Sequence, residues 1–253
     1  MEHITSRQNP VVSHIRKLGA DRAYRRERGL FLVEGTKLLE ECVRWGGEID
    51  LLVCAEGFSL PFSVHVPRTI SVPQDLFKSL STQDSPQGVL ALCKLPALSP
   101  PDKLSGARYL VLDGVQDPGN VGTVWRTADA FGADGVFLIH GCADPCSPKT
   151  VRATMGACFR LPLWETDLEV LTALLSAADI PLRATALRED TADVRELGWR
   201  RAAAVIGSEG KGISEATLSA CDATVKIPMR ERCESLNAAV AASVVLWEMY
   251  KSL

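Results

Sequence analysis

The sequence predicts an α/β protein of two domains, a small mixed module followed by a larger, mostly parallel sheet covered by helices. Three observations carry this. Pro96, Pro100 and Pro101 fall within six positions, where missing amide donors and fixed φ angles favour an extended connector. Beyond it, short apolar runs alternate with helix-length stretches, the pattern of parallel strands buried on both faces. Loops rich in glycine and short polar residues follow three of those runs, at the strand ends where such sheets bind ligands. The expected partition is a first domain at 1–95, a proline-rich linker at 96–105 and a second domain at 106–253.

In the first domain, Asn9 is a natural cap and Pro10 a natural first residue for a helix whose Val11, Val12, Ile15 and Leu18 form one face; Gly19 is placed to close it. A second, basic helix is expected at 20–28. Strands at 30–33 and 49–54 flank a helix at 37–45, with further short strands at 64–66, 70–72 and 88–93. In the second domain, strands are expected at 109–112, 135–139, 182–186, 202–206 and 224–227. Helices fall at 121–131, 148–158, 168–178, 213–221 and 236–251.

A chain of 253 residues, 46% hydrophobic, can pack two modest cores and is not a disordered protein. No apolar run reaches membrane-spanning length and the N-terminus lacks a signal-peptide layout, so a cytoplasmic protein is expected. Eight cysteines (42, 54, 93, 142, 146, 158, 221 and 233) are scattered, mostly through apolar runs, and read as reduced thiols. Cys142 and Cys146 form the one close pair; without a second pair or nearby histidines they do not predict zinc, and no metal is expected. The net charge of −3 is uneven. Residues 1–30 hold Arg7, Arg16, Lys17, Arg22, Arg25, Arg26 and Arg28 against three acids, a local +4, leaving −7 elsewhere. A basic end on an acidic body suits either a phosphate-contacting surface or a solvated helix pair.

The loop at 113–122 opens a helix carrying Arg126, but its glycines do not fit the dinucleotide fingerprint. Taken alone, Asn120 reads equally well as a helix cap and Arg126 as a solvated side chain. The loop at 207–212 has three glycines in six residues, which lets backbone groups approach a ligand closely; its spacing is not that of a Walker A loop. The third loop ends a strand at Ile227 and leads through Met229 to Ser235, a natural cap for an alanine-rich helix. Histidines 3, 14, 65 and 140 fall outside these loops, and His140, just past a strand, reads as a capping or surface residue.

Taken together the three loops resemble a known family. The segments NVGTVWRTA at 120–128, IGSEGKG at 206–212, and IPM at 227–229 with ESLNAAVA at 234–241 resemble the three motifs of the SpoU, or TrmH, branch of the SPOUT RNA methyltransferases. TMGA at 154–157 is similar to a further segment in which the family more often has serine first. ITSRQNP at 4–10 and GLFLVEG at 29–35 are similar to the L30e-like substrate-binding domain of the ribosomal RNA members.

The resemblance implies an L30e-like first domain and a SPOUT second domain with a trefoil knot, homodimeric through that C-terminal domain. It implies S-adenosylmethionine-dependent methylation of a ribose 2'-hydroxyl in RNA, with large-subunit ribosomal RNA as substrate. A transfer RNA methyltransferase and a catalytically silent RNA-binding relative are the alternatives; intact polar motif positions favour an active enzyme. The implied cofactor contacts are Gly207, Gly210, Ile227, Met229 and Leu236. The implied polar catalytic positions are Asn120, Arg126, Glu209, Ser235 and Asn237, with Arg126 a general base or a phosphate clamp. Arg126 and the basic Arg7, Arg16, Lys17, Arg22, Arg25 and Arg26 are the expected RNA contacts.

Overall fold

A computed structural model describes the whole chain except Met1, Leu187, Glu189, Asp190, Glu231, Cys233, Glu234 and Leu253, so the Cys233 thiol and the Glu234 position of the third motif lie outside the described residues. The chain divides into two compact units, Met1–Pro96 with Asp144–Phe159, and Ala97–Ala143 with Arg160–Leu253.

The first 96 residues supply β1 (Glu2–His3), α1 (Pro10–Ala20), α2 (Arg22–Arg28), β2 (Leu30–Glu34), α3 (Thr36–Arg44), β3 (Ile49–Ala55), β4 (Thr69–Val72), α4 (Gln74–Leu80) and β5 (Val89–Lys94). The strands form one sheet in the order β1-β4-β3-β5-β2, with β5 antiparallel to both of its neighbours. Val12, Ile15 and Leu18 of α1 are buried against this sheet's core, as their spacing required. Gly19, however, does not close α1. The helix runs on to Ala20, and Asp21 serves both helices: its extended backbone ends α1 with an N–H bond to Lys17, and its carboxylate accepts from Tyr24 N to cap α2. Gly29, in the left-handed region at φ 63, is the glycine that ends a helix here. The expected strand at 64–66 is absent; Pro61 and Pro67 flank it and break regular pairing on either side. Neither β1 nor α4 was expected: β1 is too short to show a pattern, while the signal missed for α4 is Leu76, Phe77 and Leu80, which it buries.

The second unit opens with β6 (Arg108–Asp113), α5 (Pro118–Ala130) and β7 (Gly135–Ile139). The chain then supplies the first unit with α6 (Pro148–Thr154) and a 3-10 turn at Ala157–Phe159. The single helix expected at 148–158 in the second domain is therefore shorter and sorts with the first. It stops because Met155 (φ 48) and Gly156 (φ 93) turn left-handed, and a Cβ on Gly156 would press into the Glu41 side chain. Next come β8 (Leu163–Glu165), α7 (Leu168–Ala177), β9 (Leu182–Thr185), β10 (Ala192–Asp193), β11 (Ala202–Gly207), α8 (Glu215–Ser219), β12 (Ala223–Lys226) and α9 (Ala238–Lys251). Part of the expected linker belongs to this unit: Leu98 is buried and its carbonyl accepts from Glu165 N at 2.7 Å.

The second sheet has seven strands in the order β10-β12-β9-β11-β6-β7-β8, parallel at every pairing. Tyr109 and Val111 of β6 join Phe137, Val205 and the α7 residues Leu171 and Leu175 in one core. Alternation along the strand turns the buried Leu110 and Leu112 to the other face. All these strands point the same way, so β6, β9, β11 and β12 deliver their carboxyl ends to one edge. Among the described residues no helix is long and apolar enough to cross a membrane.

Candidate active site

The first of the strand-end loops begins at Asp113, the last residue of β6. Asp117 rather than Asn120 caps α5: its carboxylate accepts from Asn120 N at 3.0 Å, with Pro118 at the first helical position. The Asn120 side chain is thereby left for other work. Val121, Val124, Trp125 and Ala128 form the buried face of α5, and Trp125 Nε1 donates to the Leu161 carbonyl at 3.0 Å. Arg126 follows Trp125 and is turned outward; among the described residues no side chain engages it.

The second loop leaves β11 at Gly207 and closes on itself, Ser208 N donating to Gly212 O at 3.0 Å and Gly212 N to Ser208 O at 2.9 Å. A Cβ on Gly207 would overlap the Gly212 carbonyl, and Gly212 adopts φ 67, so these two glycines are sterically required. At Gly210 a Cβ would meet nothing within 4 Å.

The third loop runs from β12 to α9. The cap of α9 is Asn237, not Ser235: its Oδ1 accepts from Ala239 N at 2.9 Å and Val240 N at 3.3 Å. Two residues of non-helical chain thus separate Ser235 from the helix, and Ser235 faces a cavity instead. Ala239 and Ala242 are buried, and such short side chains let α9 pack closely against α5 and β11.

These three loops, remote in sequence, meet in a hydrogen-bond chain. Asn237 Nδ2 donates to Asn120 Oδ1 at 3.3 Å, and Asn120 Nδ2 donates to Glu209 Oε1. One amide from α5 therefore bridges the glycine loop and the start of α9. Beside it lies a cavity of about 490 Å³ lined by Gly207, Glu209, Ile227, Met229, Ser235 and Leu236. Gly210, Asn120, Arg126 and Asn237 do not line it. Thr185, Lys211 and Glu215 also line it, and sequence reasoning missed them. Thr185 ends β9, which the sheet order places next to β11; a sequence does not state strand order.

Asp113 was also missed. It is buried, and its Oδ2 accepts from Ser214 N and from Ser214 Oγ, each at 2.9 Å. Its Oδ1 lies 3.2 Å from Nδ1 of His140, a left-handed residue at φ 49 that is exposed, as its place just past a strand suggested. Cys142 is no nucleophile. Burial pushes its thiol up to about 11, and the protonated sulfur donates to the Leu112 and Ile139 carbonyls.

In the first unit the basic cluster divides. Arg25 is buried, its guanidinium donating to Asp144 Oδ2 at 2.6 and 3.0 Å and to the Leu18 carbonyl at 2.5 Å. The expectation that it contacts RNA is corrected: its donors are engaged inside the protein. Arg7 pairs with Asp75, Arg16 donates to Ser79, and Lys17 lies over the Tyr24 ring, all near the surface. Arg22 is exposed and Arg26 half-buried.

Comparison with known proteins agrees with this layout. Residues 107–247 match the SpoU rRNA Methylase family, and residues 9–91 match an MRM3-like substrate binding domain. A 23S rRNA (guanosine(2553)-2'-O)-methyltransferase, RlmP of Bacillus subtilis, is 32% identical over 98% of this chain and 99% of its own. An AdoMet-bound rRNA methyltransferase from Sinorhizobium meliloti superposes with a TM-score of 0.88 at 30% identity, covering 100% of this chain and 98% of that one. The SpoU methyltransferase AviRb of Streptomyces viridochromogenes, in complex with AdoMet, gives 0.86 at 29% identity, over 96% and 98%.

Proposed function

The chain belongs to the SpoU rRNA methylase family, and from that premise we propose that it methylates a ribose 2'-hydroxyl of large-subunit ribosomal RNA with S-adenosylmethionine. The observation that carries the reading is the Asn237–Asn120–Glu209 chain beside the strand-end cavity. The cavity suits an adenosyl ligand. Gly207 brings bare backbone to its wall, Ile227 and Leu236 offer apolar surface to a base, and the Glu209 and Glu215 carboxylates offer charge to a cationic group.

Bound there, S-adenosylmethionine supplies an electrophilic methyl carbon. The protein's task is to orient the 2'-hydroxyl and exclude water. Ser235 and the tethered amides of Asn120 and Asn237 are neutral groups suited to orienting a hydroxyl, and Glu209 fixes Asn120 from the cofactor side. Arg126 grips the phosphate beside the target ribose; a guanidinium offers a planar fork of donors and no acceptor, which makes a clamp rather than a base. Arg7, Arg16, Lys17, Arg22 and Arg26 are assigned to RNA in the first unit.

The name of the Bacillus relative, which specifies a 23S guanosine, supports large-subunit RNA over transfer RNA. We extend the reading to a cytoplasmic homodimer with a knotted C-terminal domain. On α9, Val240, Trp247 and Tyr250 are exposed, and Phe131 packs edge-on to Trp247 and tilted against Tyr250, with ring centroids 5.6 and 5.7 Å apart, an apolar patch of the kind that partners cover. Mapping of 2'-O-methyl sites on cellular RNA with and without the gene tests the function. Loss of one large-subunit site is expected; unchanged ribosomal RNA together with a lost transfer RNA methyl group would refute the substrate.

A further inference from the structure

The cavity wall formed by the glycine loop has two ends, and one residue is paired with both, through its backbone at one and its side chain at the other. In the sheet register Asp113 stands beside Gly207, where the loop begins, and beside Ile139, which precedes His140. Its carboxylate reaches the loop's exit, accepting twice from Ser214, which directly follows the cavity residues Gly212 and Ile213. Asp113 also begins the segment that carries Asn120. Entry and exit of the glycine loop, and the origin of the Asn120 loop, thus meet at one buried residue, whose backbone pairs with the entry and whose carboxylate holds the exit. A buried acceptor with all its partners made defines loop position far more sharply than exposed contacts do, because releasing any of them leaves a desolvated charge.

We propose that Asp113 is the positioning residue of the cofactor cavity: by gripping Ser214 it holds the wall of Gly207, Gly212 and Ile213 in its binding shape and keeps Glu209 within reach of Asn120. The role rests on the reading of this cavity as the S-adenosylmethionine site. Asp113 touches no reacting atom and acts through Ser214. His140 occupies its second oxygen and keeps the carboxylate from swinging away from Ser214.

The test uses the full chain, with Asp113→Ala, Asp113→Asn, Asp113→Leu and Ser214→Ala. Amide exchange of the 207–214 segment is read without ligand, and S-adenosylmethionine affinity is read by calorimetry. Asp113→Ala is expected to speed exchange of that segment and weaken the cofactor by about tenfold or more, the loss of two hydrogen bonds to a charged acceptor. Asp113→Asn keeps an acceptor for Ser214 and is expected to restore affinity to within about threefold of wild type, whereas Asp113→Leu, which fills similar space without an acceptor, is expected to behave as Asp113→Ala; equal rescue by both would reduce the role to space filling. A folded Asp113→Ala with unaltered exchange and affinity overturns the proposal. If Asp113→Ala does not fold, Ser214→Ala decides: faster exchange with about threefold weaker binding supports the grip, and no change in either overturns it. Wild-type protein that fails to bind S-adenosylmethionine sinks the cofactor reading itself, while the exchange measurement still judges whether Asp113 holds the loop.

Discussion

Two arginines on helices, Arg25 and Arg126, illustrate how differently the two units use the same side chain. Arg25 sits among six other basic residues within the first thirty, and composition alone marks it for RNA; its guanidinium is instead buried on Asp144 and the Leu18 carbonyl. Arg126 has few basic neighbours in sequence, yet it is exposed on α5, and among the described residues no side chain engages it. A cluster of like charges invites internal neutralisation, because a buried carboxylate such as Asp144 must be paired. A helix whose other face is packed, as α5 is, leaves its polar side outward. The density of charge in a sequence is therefore a poorer guide to function than the element on which the charge is mounted.

The contrast is broken or sharpened by substitution. Arg126→Ala is expected to lower single-turnover methylation at saturating RNA by about a thousandfold, with Arg126→Lys retaining a little, and to leave cofactor affinity unchanged because Arg126 does not line the cavity. An unaltered rate would remove Arg126 from catalysis. Arg25→Ala should behave oppositely, costing about 3–5 kcal/mol in denaturant unfolding by stranding Asp144. A stability loss below about 1 kcal/mol, the scale of surface pairs, would mean the ion pair is of little account. Gly207→Ala is expected to weaken cofactor binding by about a hundredfold in calorimetry, since its Cβ overlaps the Gly212 carbonyl. The smallest effects belong to the exposed cations. Arg22→Ala and Arg16→Ala should leave stability within about 0.5 kcal/mol, and each should flatten the salt dependence of RNA affinity by about 0.7 in log–log slope. An unchanged slope would return that residue to the class of solvated helix charges.

Much of the lining of the strand-end cavity was legible in advance. Gly207, Ile227, Met229 and Leu236 belong to loops that follow buried strands, and the cavity lies at that edge of the sheet. Less legible were contacts set by reach rather than by position. Ser235 and Asn237 are both good caps by residue type, and only the helix start at Ala238 assigns the cap to Asn237. Asn120 looked like a cap until Asp117 was found there, which freed its amide to bridge two loops. Asp113 reads as an ordinary strand end until Ser214, 101 positions away, closes on it.

By itself the sequence determined the α/β class, the alternation of buried strands with helices and the three loops, because each depends on local periodicity and backbone stereochemistry. Tertiary structure alone decided the strand order, the passage of Asp144–Phe159 into the first unit, the burial of Arg25 and the meeting of Asn237, Asn120 and Glu209. The physical reason is common to all four. Each is a pairing between groups far apart in the chain, and no local pattern records which partner a group will meet.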